Sequence, residues 1–416
     1  MSLLRLYKSK GFSLEGIYDY TTSDPSKFAE QQKQLAKMGL DDIVSYFDNL
    51  SQNIKDKVRE WENGSNSFQA GDNLEDFIRS IQASPLYGLG FNDSYLNTLT
   101  GGMQQGKFFL RSMSTGKGKT RLGILDLLKV SAYEMYDVGT GKWWKNPSLQ
   151  PSLFVSTELE QEEIDLIILS AVTKLQPDVI RSGKYSAEEK ERLDRGIKAL
   201  KNSPLYFVEL PEFSIADVTN IIDNYVLNHG CNFVVFDYIQ MCPKLARTTR
   251  EAFKDSNLRD DQILLELATE LKNIANRRHI YIMSATQLNG GHSSDDYHIS
   301  KTEGALRGAK SIADKVDVGM IVENVTSKDL KNLSELIEDL EVNPQHLEPN
   351  MCSFIYKNRL GMKGVIIWSK VDLSTLTTKP LFVTDYNYQR IDIPKTRIIL
   401  GEDNKFTVED EKKVIF

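Results

Sequence analysis

The chain predicts an α/β domain on a mostly parallel central sheet, preceded by a small all-helical N-terminal region. Three observations carry this. From about residue 86 onward, short apolar runs alternate with amphipathic helical stretches, which is the pattern of strand and crossover-helix units. Several of the runs are apolar at every position, as strands covered on both faces require. Before that point the apolar residues recur at three-to-four-residue spacing, the period of helices.

Composition bounds what such a chain can be. At 416 residues it has length for roughly two to three domains. Its 40% hydrophobic and 26% charged content is that of an ordinary globular protein. No apolar run approaches the ~18 residues a membrane span needs, and Met1–Lys10 lacks the apolar segment of a signal peptide. The expectation is a cytoplasmic protein with no membrane partner. Cys231, Cys242 and Cys352 lack C-x-x-C spacing and read as reduced core or loop thiols. A net charge of −7 argues against a uniformly basic nucleic-acid coat, though not against a basic lining inside a channel.

Residues 1–85 read as helices. Asp24-Pro25 is an N-cap and first-turn pair, with Phe28, Leu35 and Met38 on one side and Gly39 as the stop. Ile43, Phe47, Leu50, Ile54, Val58 and Trp61 form a narrow seam that needs a partner helix. Asn63–Ser67 breaks it, a short helix carries Leu74, Phe77, Ile78 and Ile81, and Ser84-Pro85 closes the region. Strands are expected at Phe108–Arg111, Leu153–Ser156, Leu205–Val208, Phe233–Phe236, Ile280–Met283, Val318–Val322, Ser353–Tyr356 and Val365–Trp368. Ser214 with Asp217 and Ser186 with Glu189 resemble capping boxes, and Gly230 ends the first of these helices.

The first of those strands runs into Ser114-Thr115-Gly116-Lys117-Gly118-Lys119-Thr120-Arg121 and then into a helix bearing Leu122, Ile124, Leu125, Leu127 and Leu128. That is the layout of a phosphate-binding loop. Backbone N–H groups at a helix N-terminus hold clustered anionic oxygens, Lys119 adds a charge at the β/γ-phosphates, and Thr120 offers Mg²⁺ a hydroxyl. Only the second half of G-x-x-x-x-G-K-[ST] is matched, because Met113 stands where the first glycine belongs. Asp237, ending the run Phe233–Phe236, is a second Mg²⁺-directed acid. Glu158, after Leu153–Ser156, suits a base for an attacking water, although Glu158 or Glu160 could equally favour the next helix N-terminus.

The motifs TGGMQQG (100–106), the phosphate loop, VSTE, FDYIQ, SATQLN, ALRGAKSIADKVD and KNRLG follow one another in the order of the DnaB-type replicative helicases. The chain resembles that family of hexameric RecA-like ATPases over about residues 90–370. The resemblance implies a RecA-like P-loop ATPase core at 86–396, a helical N-terminal or linker region at 1–85 and a C-terminal tail at 397–416. It implies ATP and Mg²⁺ as cofactors and Glu158 as the catalytic glutamate. Gln287 would be a γ-phosphate sensor, and Lys357 and Arg359 would reach from one subunit into its neighbour's nucleotide. The implied partners are single-stranded DNA, further copies in a hexameric ring, and a loader or primase.

DNA would meet the loops after Asp237 and Gln287. The first offers Lys244, Arg247, Arg250 and Lys254; the second, GGHSSDDYHISK at 290–301, places Asp295 and Asp296 where a basic lining is expected. A solvated loop explains either equally well. An acidic helical insertion is expected at Asp329–Leu347, with Leu330, Leu333, Ile337 and Leu340 on one face. Two other readings stay open: a recombinase or loader-like ATPase that does not unwind, and a nucleotide-gated scaffold.

Overall fold

A run such as Phe233–Phe236 is stable only with both faces covered, and in the computed structural model of the chain these residues are at most 3% exposed. The structure describes residues 70–83, 85–287, 310–401 and 405–410. The helices expected before residue 70, with the Ile43–Trp61 seam, and the loop at 290–301 lie outside the described residues. The backbone divides into two units, Met1–Leu74 and Glu75–Phe416, of which the second is described below.

Its elements are α1 (Leu74–Ala83), α2 (Ser94–Thr100), β1 (Phe108–Met113), α3 (Lys119–Ser131), β2 (Glu134–Asp137), β3 (Lys142–Lys145), β4 (Ser152–Ser156), α4 (Gln161–Thr173), α5 (Pro177–Ser182), α6 (Ala187–Lys201), β5 (Leu205–Glu209), α7 (Ile215–His229), β6 (Phe233–Asp237), α8 (Pro243–Phe253) and α9 (Asp260–Arg278). They continue with β7 (Tyr281–Gln287), α10 (Lys310–Lys315), β8 (Val318–Asn324), α11 (Ser327–Asn332), α12 (Ser334–Glu338), β9 (Met351–Asn358), β10 (Val365–Asp372), β11 (Thr377–Thr384), β12 (Thr396–Leu400) and β13 (Phe406–Asp410). All eight expected strands form.

Among the described residues, nine strands make one sheet in the order β11-β10-β9-β8-β1-β7-β6-β4-β5. The six from β8 to β5 are parallel, and β9, β10 and β11 extend them antiparallel. Side chains alternate across this sheet. Phe109, Phe154 and Val235 join a core with α3 and α4, while Phe108, Leu110, Val234 and Phe236 join another with α7 and α9. Fully burying each such side chain is worth about 1.5–3 kcal/mol.

Local signals set the helices as expected. Ser186/Glu189 and Ser214/Asp217 are both complete capping boxes, and Gly230 is the left-handed stop of α7 at φ 67°. Gly102, at φ 85°, brings backbone so close that a Cβ would sit 2.6 Å from the Gly88 carbonyl oxygen. That approach lets Met103 bridge to Leu89 ahead of β1. The three cysteines are buried and form no disulfide among the described residues.

Three features differ from the sequence reading. β11 takes the sheet edge and carries Pro380, opposite a register shift at Trp368/Ser369; an edge strand with a bulge tolerates the missing N–H. Thr396–Leu400 and Phe406–Asp410, almost wholly within the stretch expected only as a tail, form a β12–β13 hairpin that α2 anchors: Asn97 Nδ2 donates to the Thr396 carbonyl at 3.1 Å. The acidic insertion is two short helices, α11 and α12, rather than one continuous face. Thr326 and Asp329 cap α11 reciprocally, and the break leaves Leu333 buried but Leu340 61% exposed.

Arg111 on β1 donates to Asp126 on α3 at 2.9 Å, with both side chains 7% exposed. Burial pushes the Asp126 carboxyl up against the opposing pull of Arg111. Arg111→Ala would strand a buried acid, so a loss of about 3–5 kcal/mol is expected in denaturant unfolding. Arg111→Met with Asp126→Leu should recover most of it; a single variant as stable as the parent would show that the pair is irrelevant to the core.

Candidate active site

Parallel register brings the chemistry to one edge. Met113, ending β1, pairs with Gln287, ending β7, and Ser156, ending β4, pairs with Asp237, ending β6. The loops after these residues therefore share the C-terminal edge of the parallel strands, where open α/β sheets bind ligands. They surround a cavity of about 600 Å³ lined by Thr115, Gly116, Gly118, Lys119, Thr120, Arg121, Glu158, Tyr238 and Gln287, among others.

The phosphate loop is complete without its first glycine. Met113 ends a paired strand and is 0% exposed, so that position needs extended backbone and an apolar side chain rather than glycine's freedom. Gly118, at φ 97°, is the N-cap of α3, and no side chain caps the helix. The first N–H groups of α3 are thus left for an anion, with the helix dipole behind them. Arg121 anchors the far side by donating to the Leu373 carbonyl at 3.0 Å.

Asp237 accepts a hydrogen bond from the Thr120 hydroxyl at 2.5 Å. Two hard oxygen donors so close, one of them a buried carboxylate, fit Mg²⁺. Burial pushes the Asp237 carboxyl up to about 6; the Thr120 bond and Lys119 oppose this and the Glu158 charge adds to it. Lys119 is lowered by burial, against the attraction of Asp237 and Glu158. A carboxyl raised from 3.8 to about 6 gives stability that is whole below pH 3.8 and lost as pH rises through 6. Asp237→Asn keeps an acceptor for Thr120 and removes that loss. It is expected to raise the unfolding free energy by about 2–3 kcal/mol at pH 7.5 and by little near pH 4. Equal gains at both pH values in denaturant titrations would contradict the assignment.

Glu158 is exposed at the cavity mouth, and its Oε1 accepts from the Tyr238 hydroxyl at 2.8 Å. The Lys119 ammonium lies 3.6 Å from the centroid of the same ring. Burial, then the Glu158 hydrogen bond, holds the Tyr238 phenol well above its ordinary value, so it remains a donor. Gln287 Nε2 donates to the Thr115 hydroxyl, tying the tip of β7 to the phosphate loop. Ser114 and Lys117 are half-buried in the same loop without lining the cavity.

Two groups of expected residues lie elsewhere. Lys357 pairs with Gly319 at the start of β8, and its ammonium donates to the Ala313 and Asp314 carbonyls at 2.6 and 3.0 Å. Arg359 donates to the Asp314 carbonyl at 2.9 Å and faces Asp317, whose carboxylate accepts from the Phe108 amide at 2.8 Å. Phe108 starts β1 and the phosphate loop follows its end, about 17 Å further along at 3.3 Å per residue. Both cations therefore stand at the opposite edge from this chain's own cavity. The first basic stretch is the helix α8 rather than a loop. Lys244 pairs with Asp217 at 2.8 Å and Arg250 with Asp260 at 3.1 Å, while Arg247 is exposed.

Tyr238 and Arg181 are cavity residues without a role in the sequence reading. Tyr238 sits inside FDYIQ, directly after Asp237, and that adjacency was the available signal. Arg181 comes from α5 and had none. The hairpin β2–β3 was also missed, although Gly139-Thr140-Gly141 between EMYD and KWWK is a hairpin signature.

The family model of the DnaB-like helicase C-terminal domain matches residues 88–370. The chain is 31% identical over 409 residues to the SPbeta prophage-derived uncharacterized protein YorI of Bacillus subtilis, covering 96% of this chain and 79% of that protein. To the replicative DNA helicase DnaC of the same bacterium it is 21% identical over 274 residues, covering 65% of this chain and 52% of that one. Among solved structures, a DnaB-like replicative helicase, described with its interactions with primase, superposes with a TM-score of 0.54 at 13% identity, covering 84% of this chain and 78% of that one. A separate ATPase domain superposes with a TM-score of 0.55 at 15% identity, covering 75% of this chain and 99% of that domain. These likenesses show the RecA-like fold.

Proposed function

Because the chain belongs to the DnaB-like helicases through the C-terminal domain of that family, we propose that it is an ATP-driven motor that forms a hexameric ring, translocates on single-stranded DNA and separates duplexes during replication in the cytoplasm. The observation that carries this is spatial. The phosphate loop, Glu158, the Thr120–Asp237 pair and Gln287 meet at one sheet edge, while Lys357 and Arg359 wait at the other. Of the cavity's own arginines, Arg121 is tied to the Leu373 carbonyl and Arg181 faces Asp178 at 3.5 Å, so a chain that presents two further cations its own pocket cannot reach suits completion by a second copy.

In this reading residues 86–396 are the ATPase domain and residues 1–85 a helical linker region. The α3 N-terminus and Lys119 bind the triphosphate. Thr120 and Asp237 would hold Mg²⁺, which when bound would supply positive charge against the triphosphate. Glu158 orients a water and takes its proton as the oxygen attacks phosphorus and the β–γ bridge breaks. Gln287, bonded to Thr115, feels whether the γ-phosphate is present and passes that to the chain after β7. Lys357 and Arg359 act in the neighbour's pocket. Arg247 on α8 contacts DNA, joined by Lys244 and Arg250 when their ion pairs open. A loader or primase is the further partner.

Those ion pairs favour one alternative, a DNA-binding ATPase or loader that does not unwind. A single experiment separates the readings: ATP turnover with and without single-stranded DNA, beside displacement of a labelled strand. Stimulated turnover with displacement supports the helicase. Stimulation without displacement supports the alternative, and hydrolysis indifferent to DNA removes both.

A further inference from the structure

We infer that Tyr238 is a positioning residue that couples the nucleotide-binding lysine to the hydrolytic glutamate; this rests on the hydrolytic reading of the site given above. One ring touches both groups. Its hydroxyl donates to Glu158 Oε1 at 2.8 Å, and its face receives the Lys119 ammonium 3.6 Å from the centroid. Glu158 is otherwise an exposed side chain with several rotatable bonds. A free glutamate samples many rotamers, so fixing one oxygen leaves the other, Oε2, aimed at one place.

The ring itself is fixed. Tyr238 is 7% exposed, and its backbone N–H donates to the Thr157 hydroxyl at 3.2 Å. That hydroxyl donates to the Asp237 carbonyl at 3.0 Å and accepts from Gln240 Nε2 at 2.8 Å. The Thr157 amide also donates to the Asp237 carbonyl at 2.8 Å. The residue before Glu158 and the residue before Tyr238 are therefore clamped together, and the tyrosine hydroxyl closes the clamp at its outer end. When a triphosphate draws Lys119 off the ring face, the hydroxyl keeps Glu158 in place while the cation moves.

Tyr238→Phe keeps the ring and removes only the hydroxyl. The expected result is a kcat about tenfold lower with KM and nucleotide affinity unchanged within about twofold. Tyr238→Leu removes the ring as well, a contact that Lys119 gives up when nucleotide binds, so fluorescent ADP binding is expected to be no weaker than the parent's while kcat falls at least as far as in Tyr238→Phe. The decisive arm is a double-mutant cycle with Glu158→Gln: in that background Tyr238→Phe should have no further effect on single-turnover hydrolysis. A tenfold loss in both backgrounds, or a loss confined to KM, overturns the inference. Full activity in Glu158→Gln alone would instead overturn the assignment of Glu158, so the two failures are distinguishable. Equal melting temperatures of parent and Tyr238→Phe exclude a loss through misfolding.

Discussion

Lys119→Ala is expected to lower ATP turnover about 10²–10³-fold and to abolish strand displacement. Of the two lysines in the phosphate loop, Lys119 lines the cavity and Lys117 does not, while Arg121 is tied to the Leu373 carbonyl. The Lys119 ammonium is half-buried between the Tyr238 ring and the charges of Asp237 and Glu158. Truncation leaves those two acids facing an incoming polyanion uncompensated, which penalises the ground state as well as the transition state. Nucleotide affinity should therefore fall along with kcat, in contrast to Tyr238→Phe. The check is steady-state turnover with single-stranded DNA, with displacement of a labelled oligonucleotide measured in parallel. A variant that unwinds at the parental rate would end the helicase reading.

Arg359→Ala is expected to cost about 10³-fold in turnover, the scale of a transition-state arginine supplied in trans, without changing nucleotide affinity of the isolated chain. Geometry within one chain is the reason for separating the two effects. Arg359 is 51% exposed, held by Asp314 and Asp317 at the edge opposite the cavity, so its loss leaves the chain's own pocket intact. Mixing provides the sharper result. Arg359→Ala subunits keep Glu158, and Glu158→Gln subunits keep Arg359. A random equal mixture would then contain roughly a quarter of interfaces with both groups intact. Turnover in the mixture should exceed that of either variant alone. A mixture no faster than the mean of its components would refute completion in trans, as would a lone protomer hydrolysing ATP at the full rate with Arg359 in solvent.

Much of the fold was legible because its signals are local. Phe233–Phe236 says strand by being apolar throughout, Ser214 and Asp217 say helix start three residues apart, and Gly118-Lys119-Thr120 says phosphate loop at a strand–helix junction. Segments with mixed signals were lost: Pro380 disguised β11, and the charges of EMYD and KWWK disguised the hairpin β2–β3.

By itself, the sequence determined which residue types stand at the strand tips and so what chemistry the chain carries, since strand, cap and loop preferences act over a few neighbouring residues. Only the tertiary structure decided how these residues meet. It joined Thr120 to Asp237 across 117 positions and Tyr238 to Glu158 across 80. It turned Lys244 and Arg250 into ion pairs with acids, and sent Lys357 and Arg359 to the far edge because β9 runs antiparallel to β8. Such contacts depend on sheet order and register, which arise when distant apolar faces are buried together and leave no periodic trace along the chain.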